Sequence, residues 1–250
     1  MYKLGLIGDP LSHSFSKKYF DLKFKNQKIK NFSYSLYPIT DLNKIDDLIF
    51  KHKIIGLNVT SPYKTEIIKY LDELEETARK INCVNTVFVN LKTKKKYGFN
   101  TDLIGFEKTL EAVELAKNKK ALILGAGSVS KTISYCLEKH HIEHLIVSRK
   151  PTKNMINYSS ISNFISRFKI IINTTPLGQY PNKTKFPKIP YKLLSNEHHC
   201  IDLIYNPPKT IFLQNCSNNG AKIINGERML SEQANASWKI WMELIFRHNV

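Results

Sequence analysis

Lys120-Ala121-Leu122-Ile123-Leu124-Gly125-Ala126-Gly127-Ser128-Val129-Ser130 is the stretch that decides the fold. Its first half is a short unbroken apolar run, the pattern of a strand buried on both faces. A glycine turn follows, and Lys131–Lys139 reads as the helix it opens into. Strand, turn and helix in that order give Gly125-x-Gly127-x-x-Ser130 the context that a chance glycine pair lacks. Gly125 makes the tight turn, and Gly127 lets the backbone approach a pyrophosphate. Ala126, Ser128 and Val129 complete the candidate cradle. Ser130 stands in for a third glycine and is small enough for helix–strand packing. A tight turn that binds nothing fits the same residues.

The next strand, Leu145–Val147, ends in Ser148-Arg149-Lys150, with Lys153 close behind. A site for NAD would carry an acidic residue there to hold the ribose 2′-hydroxyl. Basic side chains suit the 2′-phosphate of NADP instead, so the expected cofactor is NADP(H).

Outward from this unit, strand and helix patterns alternate along the chain, which predicts an α/β protein with largely parallel sheets. On the N-terminal side, strands are expected at Leu4–Ile7, Phe32–Ile39 and Ile54–Val59. Helices are expected at Ser14–Asn26, at Asp41–Lys51 and from Pro62. Val84–Val89 and Lys96–Phe99 read as an antiparallel pair joined by a lysine-rich turn. The spacing of Leu103, Phe106, Leu110 and Val113 predicts a helix over Asp102–Ala116. Later strands fit Ile170–Asn173, Cys200–Ile204 and Lys222–Ile224, and Asn154–Ser166 reads as a loop with a short helix. A final amphipathic helix carries Leu230, Ala234, Trp238, Trp241 and Ile245 on one face. Two domains follow: an N-terminal, mainly parallel α/β domain over 1–101, completed by the C-terminal helix 227–250, and a doubly wound Rossmann-type domain over 102–226.

The chain has 250 residues and a formal charge of +17, yet only five of its 38 basic residues are arginines. The lysines are spread along the whole length, with no basic stripe and no interleaved aromatics. A nucleic-acid surface is therefore not expected, although such a field draws in small anions. No segment reads as a membrane span, and no membrane partner is expected. Cys83, Cys136, Cys200 and Cys216 are scattered with no C-x-x-C pair, the usage of a reducing, cytoplasmic compartment.

Lys64 sits awkwardly in Asn58-Val59-Thr60-Ser61-Pro62-Tyr63-Lys64. Thr60 or Ser61 fits an N-cap and Pro62 a first helical position, which puts Lys64 in a first turn whose dipole disfavours a cation. Acid–base chemistry explains such a residue, and so does a solvated lysine on a lysine-rich surface. His140, His141 and His144 contain an i, i+4 pair, but histidines near a helix C-terminus pair with its dipole. No carboxylate–cysteine set surrounds them in the sequence, and no metal is expected.

Seven blocks in order resemble the shikimate dehydrogenase family over nearly the full length. They are Gly8 through Ser16, Asn58 through Lys64, Val84-Asn85-Thr86, Gly98 through Asp102, Asn173 through Gly178, Asp202 through Pro207, and Asn225 through Ala234. The resemblance implies reversible NADPH-dependent reduction of 3-dehydroshikimate to shikimate, in a cleft between a substrate domain and the NADP domain. It implies Lys64 and Asp102 as the catalytic pair. Ser14 and Ser16 would hold the substrate carboxylate, and Thr60, Asn85, Thr101, Asp102, Tyr205 and Gln233 the rest of the substrate. Thr174, Leu203 and Gly226 would join the cofactor site with Gly125–Val129, Ser148, Arg149, Lys150 and Lys153. Plainer readings stay open: Asp102 and Ser14 as helix caps, Asn85 and Thr101 as turn residues, Tyr205 as packing, Gln233 as an exposed helix residue. The sequence departs from the family at Lys17, where proline is usual, at Arg228, where glycine is common, and at Ser128 and Ser130. A quinate-preferring or dual-specificity enzyme, and a non-catalytic basic RNA- or anion-binding protein, are the rival readings. The expected assembly is a monomer or homodimer.

Overall fold

A computed structural model describes residues 1–11, 14–113 and 120–248. The chain divides into two units, Met1–Thr101 with Gln233–Val250, and Asp102–Glu232.

The first unit is built on a six-stranded mixed sheet. β1 (Tyr2–Gly8) lies between β2 (Phe32–Pro38) and β3 (Ile54–Val59), parallel to both. β4 is the two-residue edge Glu73–Leu74, and β5 (Thr86–Val89) and β6 (Lys96–Phe99) are the expected antiparallel pair. The order is β2-β1-β3-β5-β6-β4. Helices α1 (Ser16–Asn26), α2 (Ile45–His52) and α3 (Glu76–Ile81) accompany it. β3 is buried throughout, which is why it reads as a continuous apolar run with one polar interruption, Asn58. Two apolar clusters cover the sheet. One gathers Ile7, Ile45, Ile49, Ile54, Leu57 and Val87, and the other Leu4, Phe20, Tyr34, Phe88 and Trp241. Gly56 makes room for the latter: a Cβ there would lie 2.7 Å from the Trp241 indole. The indole N–H, fully buried, donates to the Val87 carbonyl at 2.9 Å.

The second unit holds a six-stranded, all-parallel sheet. Its strands are β7 (Ala121–Leu124), β8 (His144–Ser148), β9 (Met155–Asn157), β10 (Ile170–Asn173), β11 (His199–Asp202) and β12 (Lys222–Ile224). They run in the order β9-β8-β7-β10-β11-β12, the doubly wound dinucleotide-fold order with its switch point between β7 and β10. Its helices are α4 (Thr101–Leu110), which starts one residue before the unit does, α5 (Ser128–Lys139) and α6 (Ile211–Asn218). The long α7 (Glu227–His248) begins in this unit and continues into the first. Among the described residues no helix is long and apolar enough to cross a membrane, and the four cysteines are buried free thiols.

Several expectations need correction. No α-helix starts at Pro62: residues 61–65 form turns and a short 3-10 segment follows at Glu66–Tyr70. The reason is tertiary, because the Lys64 carbonyl that a continuing helix would use accepts the Val84 amide at 2.7 Å. The helix expected over Asp102–Ala116 ends at Leu110, and its last positions, 114–116, lie outside the described residues. α5 begins at Ser128 rather than Lys131, so Ser128 to Ser130 belong to its first turn. Residues 154–166 hold the edge strand β9 and two 3-10 turns. α3 and α6 were not expected, although Glu75 and Thr210 cap them through side chains that accept the Ala78 and Leu213 amides.

Candidate active site

In the first unit, the ends of the strands bring separate parts of the sequence together. The Thr60 amide donates to the Ile7 carbonyl at 3.0 Å, so the segments leaving β1 and β3 start side by side. Gly8 permits this approach, since a Cβ there would meet the Thr60 methyl at 2.4 Å. The first segment carries Ser14 and Ser16, both half-buried, and the second Thr60 and half-buried Lys64. Ser12 and His13 of that first motif lie outside the described residues. Ser14 does not precede α1 directly. Phe15 does, with no capping side chain, while the Ser14 hydroxyl accepts the Ser16 amide at 3.3 Å.

Asn85, 3 % exposed, donates its backbone N–H to the Phe99 carbonyl and accepts the Val59 amide with its own carbonyl, which ties it to β6 and β3. Its side-chain oxygen accepts the Thr101 amide at 2.7 Å, and its side-chain nitrogen donates to Thr101 Oγ1 at 3.0 Å and Gln233 Oε1 at 3.3 Å. Asn85, Thr101 and Gln233 therefore meet, although 148 positions separate the first from the last. Asn85 and Thr101 are more than turn residues, and Gln233 is not simply solvated.

Behind them lies a buried network that sequence reasoning missed. Asn58 donates to Ser237 Oγ at 2.9 Å and to Thr86 Oγ1 at 3.3 Å, and accepts the Tyr34 hydroxyl at 2.8 Å. Thr86, Thr101 and Ser237 are fully buried, with their hydroxyls 2.8–3.1 Å apart. Burial pushes the Tyr34 phenol pKa up, with a hydrogen bond to the Ser16 side chain pulling it back. The chain of contacts thus runs from Ser16 through Tyr34 and Asn58 to Asn85, Thr101 and Gln233. A signal was available: asparagine inside a strand buried at every position must find partners.

Asp102 follows Thr101 as the second residue of α4, 5 % exposed. It is therefore not the N-cap but a carboxylate in the first turn, where the helix dipole favours an anion.

In the second unit, Gly125 leaves β7 with φ +112°, in the region that favours glycine, and a Cβ there would lie 2.8 Å from Thr174 Oγ1. Thr174 follows β10, so the switch point brings Gly125 and Thr174 together. The Thr174 hydroxyl and amide both donate to the Leu124 carbonyl, at 2.9 and 3.0 Å. Gly127 is the N-cap of α5; a Cβ there would meet nothing within 4 Å, and exposed Ala126 stands beside it. Ser128 and Val129 form the first turn. Buried Ser130 turns its hydroxyl back to the Gly127 carbonyl at 2.6 Å, so it packs inward as expected. An open backbone cradle before a helix N-terminus fits a pyrophosphate.

At the end of β8, Ser148 Oγ accepts the Lys150 amide at 3.1 Å, and Arg149, Lys150 and Lys153 are exposed. Leu203 and Gly226 meet after β11 and β12: a Cβ on Gly226 would lie 2.1 Å from the Leu203 carbonyl oxygen. Tyr205, two residues on, is half-buried. Arg228, the departure next to Gly226, has its guanidinium 3.7 Å from the Glu111 carboxylate.

Asp202 closes the strand ends. Fully buried, it accepts from Asn173 Nδ2 at 3.0 Å, the Ile204 amide at 3.1 Å and the Thr210 hydroxyl. Burial raises its pKa to about 6, against the pull of those donors.

The histidine reading changes as well. His140 is the C-cap of α5, but His144 lies in β8 with Nε2 2.6 Å from Ser134 Oγ, so the two are not one helical pair. Glu107 and Cys136 do surround His140, contrary to the expectation of no carboxylate–cysteine set. Burial, with the charge of Glu107, pushes the Cys136 thiol up to about 12.

The chain is similar in sequence and in fold to known proteins. Residues 6–87 match the sequence profile of the shikimate dehydrogenase substrate binding domain. The chain is 38 % identical to the shikimate dehydrogenase (NADP(+)) of Methanococcus vannielii, over 95 % of this chain and 90 % of that one. It is also similar to solved structures of shikimate dehydrogenases, among them that of Aquifex aeolicus and one in complex with NADP+. For the Aquifex protein the TM-score is 0.87 at 32 % identity, covering 96 % of this chain and 92 % of that one. The other, a shikimate dehydrogenase in complex with NADP+, gives 0.83 at 31 % identity, covering 97 % and 90 %.

Proposed function

The chain belongs to the shikimate dehydrogenase family, and from that premise we propose that it reduces 3-dehydroshikimate reversibly to shikimate with NADPH, using Lys64 and Asp102 as its ionisable groups. The observation that carries the reading is the convergence of Asn85, Thr101 and Gln233 on a buried polar network beside the ends of β3 and β6. A ring bearing several hydroxyls needs donors and acceptors fixed in advance, and buried partners fix these.

Ser14 and Ser16 hold the substrate carboxylate, with hydroxyls two residues apart. Thr60, Asn85, Thr101, Gln233 and Tyr205 bind the ring hydroxyls, and Asp102 accepts from one of them. The substrate domain comprises 1–101 completed by helix 227–250, and the NADP domain 102–226. Within the latter, Gly125, Ala126, Gly127, Ser128 and Val129 hold the phosphates at the start of α5. Ser148, Arg149, Lys150 and Lys153 hold the 2′-phosphate, and Thr174, Leu203 and Gly226 the remainder of the cofactor. Bound NADPH supplies the hydride. Lys64 stabilises the negative charge that grows on the ketone oxygen and gives it a proton; in the reverse direction its neutral amine takes that proton back.

The same reading has the enzyme working in the cytoplasm as a monomer or homodimer, with no nucleic-acid or membrane partner. Four buried free thiols support a reducing compartment. The test is shikimate with NADP+ at alkaline pH, followed by NADPH absorbance. No absorbance, together with salt-sensitive RNA binding, would favour the non-catalytic alternative. Lys64→Ala should lower kcat by about 10²- to 10⁴-fold while leaving NADP+ binding near its original strength. An unchanged kcat would remove Lys64 from the reaction.

A further inference from the structure

Glu107, on the second turn of α4, faces the last turn of α5, which presents Cys136 and, four residues on, His140. The three side chains offer ligand atoms that all lie within 4.8 Å of one another. We propose that Glu107, Cys136 and His140 form a three-ligand site for a thiophilic divalent cation of the zinc type.

The geometry is close to what such an ion needs. Two nitrogen or oxygen ligands on a tetrahedral zinc stand about 3.4 Å apart, and a sulfur–oxygen pair about 3.6 Å. Glu107 Oε1 and His140 Nε2 are already 3.4 Å apart. The remaining separations close by rotation of the Glu107 and His140 side chains, which are 22 % and 42 % exposed. Cys136 is fully buried and fixed by the helix, so it acts as the rigid ligand. The exposed imidazole leaves a path for the ion, and a water completes the fourth position.

The donor set also selects the metal class. One thiolate, one imidazole and one carboxylate favour zinc over magnesium or calcium, whose preferred ligands are all oxygen. In the absence of an ion, Lys139 neutralises Glu107 at 2.8 Å. Its side chain is 55 % exposed and returns to water at little cost when a metal takes that place. Binding releases the thiol proton and forms a metal–sulfur bond, with no change of oxidation state.

The site is separate from the cofactor loop: Cys136 stands nine positions along the helix from Gly127, a rise of about 14 Å. A bound ion would clamp α4, which carries Asp102 in its first turn, against α5. It should therefore raise thermal stability by mass action, independently of catalysis.

Cobalt is the direct probe, because a cobalt–thiolate bond gives a near-ultraviolet charge-transfer band. The metal-free full-length chain should bind one Co²⁺ with that band, and Zn²⁺ should displace it and raise Tm. Cys136→Ser should abolish the band. Because a buried substitution can disturb folding, His140→Gln and Glu107→Gln provide the second arm. Each should weaken Co²⁺ binding by about tenfold or more, as loss of even an outer-shell partner does. No thiolate band at millimolar Co²⁺, or a band that either surface variant weakens by less than that, would overturn the site and assign any binding to another thiol.

Discussion

Replacing Asn58 with leucine keeps the branching and heavy-atom count of the side chain but deletes its amide from the middle of the buried network. The groups it touches do not lose equally. The Asn85 carbonyl keeps the Val59 amide at 2.9 Å, and the Thr86 and Ser237 hydroxyls keep each other at 2.8 Å. The Tyr34 hydroxyl, on a ring 2 % exposed, is left with the Ser16 side chain. A buried donor that loses its acceptor costs about 1–3 kcal/mol, and the lost 2.9 Å bond to Ser237 about 1 kcal/mol more. Asn58→Leu should therefore destabilise the first unit by about 2–4 kcal/mol. Tyr34→Phe alone leaves the Asn58 oxygen without its hydroxyl, at about 1–2 kcal/mol. In the double variant neither group is orphaned, so its loss should fall short of the sum by about 1–2 kcal/mol. Urea denaturation followed by tryptophan fluorescence reads this selectively. Trp238 and Trp241 are the only tryptophans, and both lie in the part of α7 grouped with the first unit. Losses that add to within about 0.5 kcal/mol would mean that Tyr34 and Asn58 are not coupled, and the network argument would fail.

Two further predictions concern the second unit. Arg149→Ala should weaken NADP+ binding by about 10- to 100-fold and change NAD+ binding by no more than about twofold, as equilibrium titration would measure; equal losses would deny it the 2′-phosphate. For Asp202, the folded carboxyl holds its proton to about pH 6, whereas the unfolded one loses it near its ordinary value of 3.8. Its contribution to stability is thus full below that ordinary value and is lost as the pH rises through about 6. The difference in urea midpoint between wild type and Asp202→Asn, followed by circular dichroism, should drift against the wild type across that window; a flat difference would show that the carboxyl titrates normally.

Lys64 illustrates where local rules stop. By local rules its position sets a lysine against a helix dipole, yet no α-helix begins there, because Val84 claims the Lys64 carbonyl. The lysine stays in the proposed chemistry for a different reason: it lies on the segment that leaves β3 beside that leaving β1. Helix α6 failed in the opposite direction. Thr210 was a readable cap, but a helix of eight residues gives too few turns for its apolar period to stand out. The nucleotide loop was legible because every part of its signal lies within a dozen residues. Only its first helical residue was misplaced, since Ser128 to Ser130 suit a loop by composition and a helix start by geometry.

What the sequence by itself determined is what neighbouring residues control: the buried strand β7, the glycine turn, the amphipathic α5, the basic end of β8 and the order of the motifs. The doubly wound strand order follows from that alternation. Tertiary structure alone decided which polar groups meet. Asn58, Asn85, Thr101, Gln233 and Ser237 come from two strand ends, a helix start and α7, and Glu107, Cys136 and His140 from two helices. Their convergence depends on strand register and helix docking, and the burial that makes each contact strong exists only once the chain has folded.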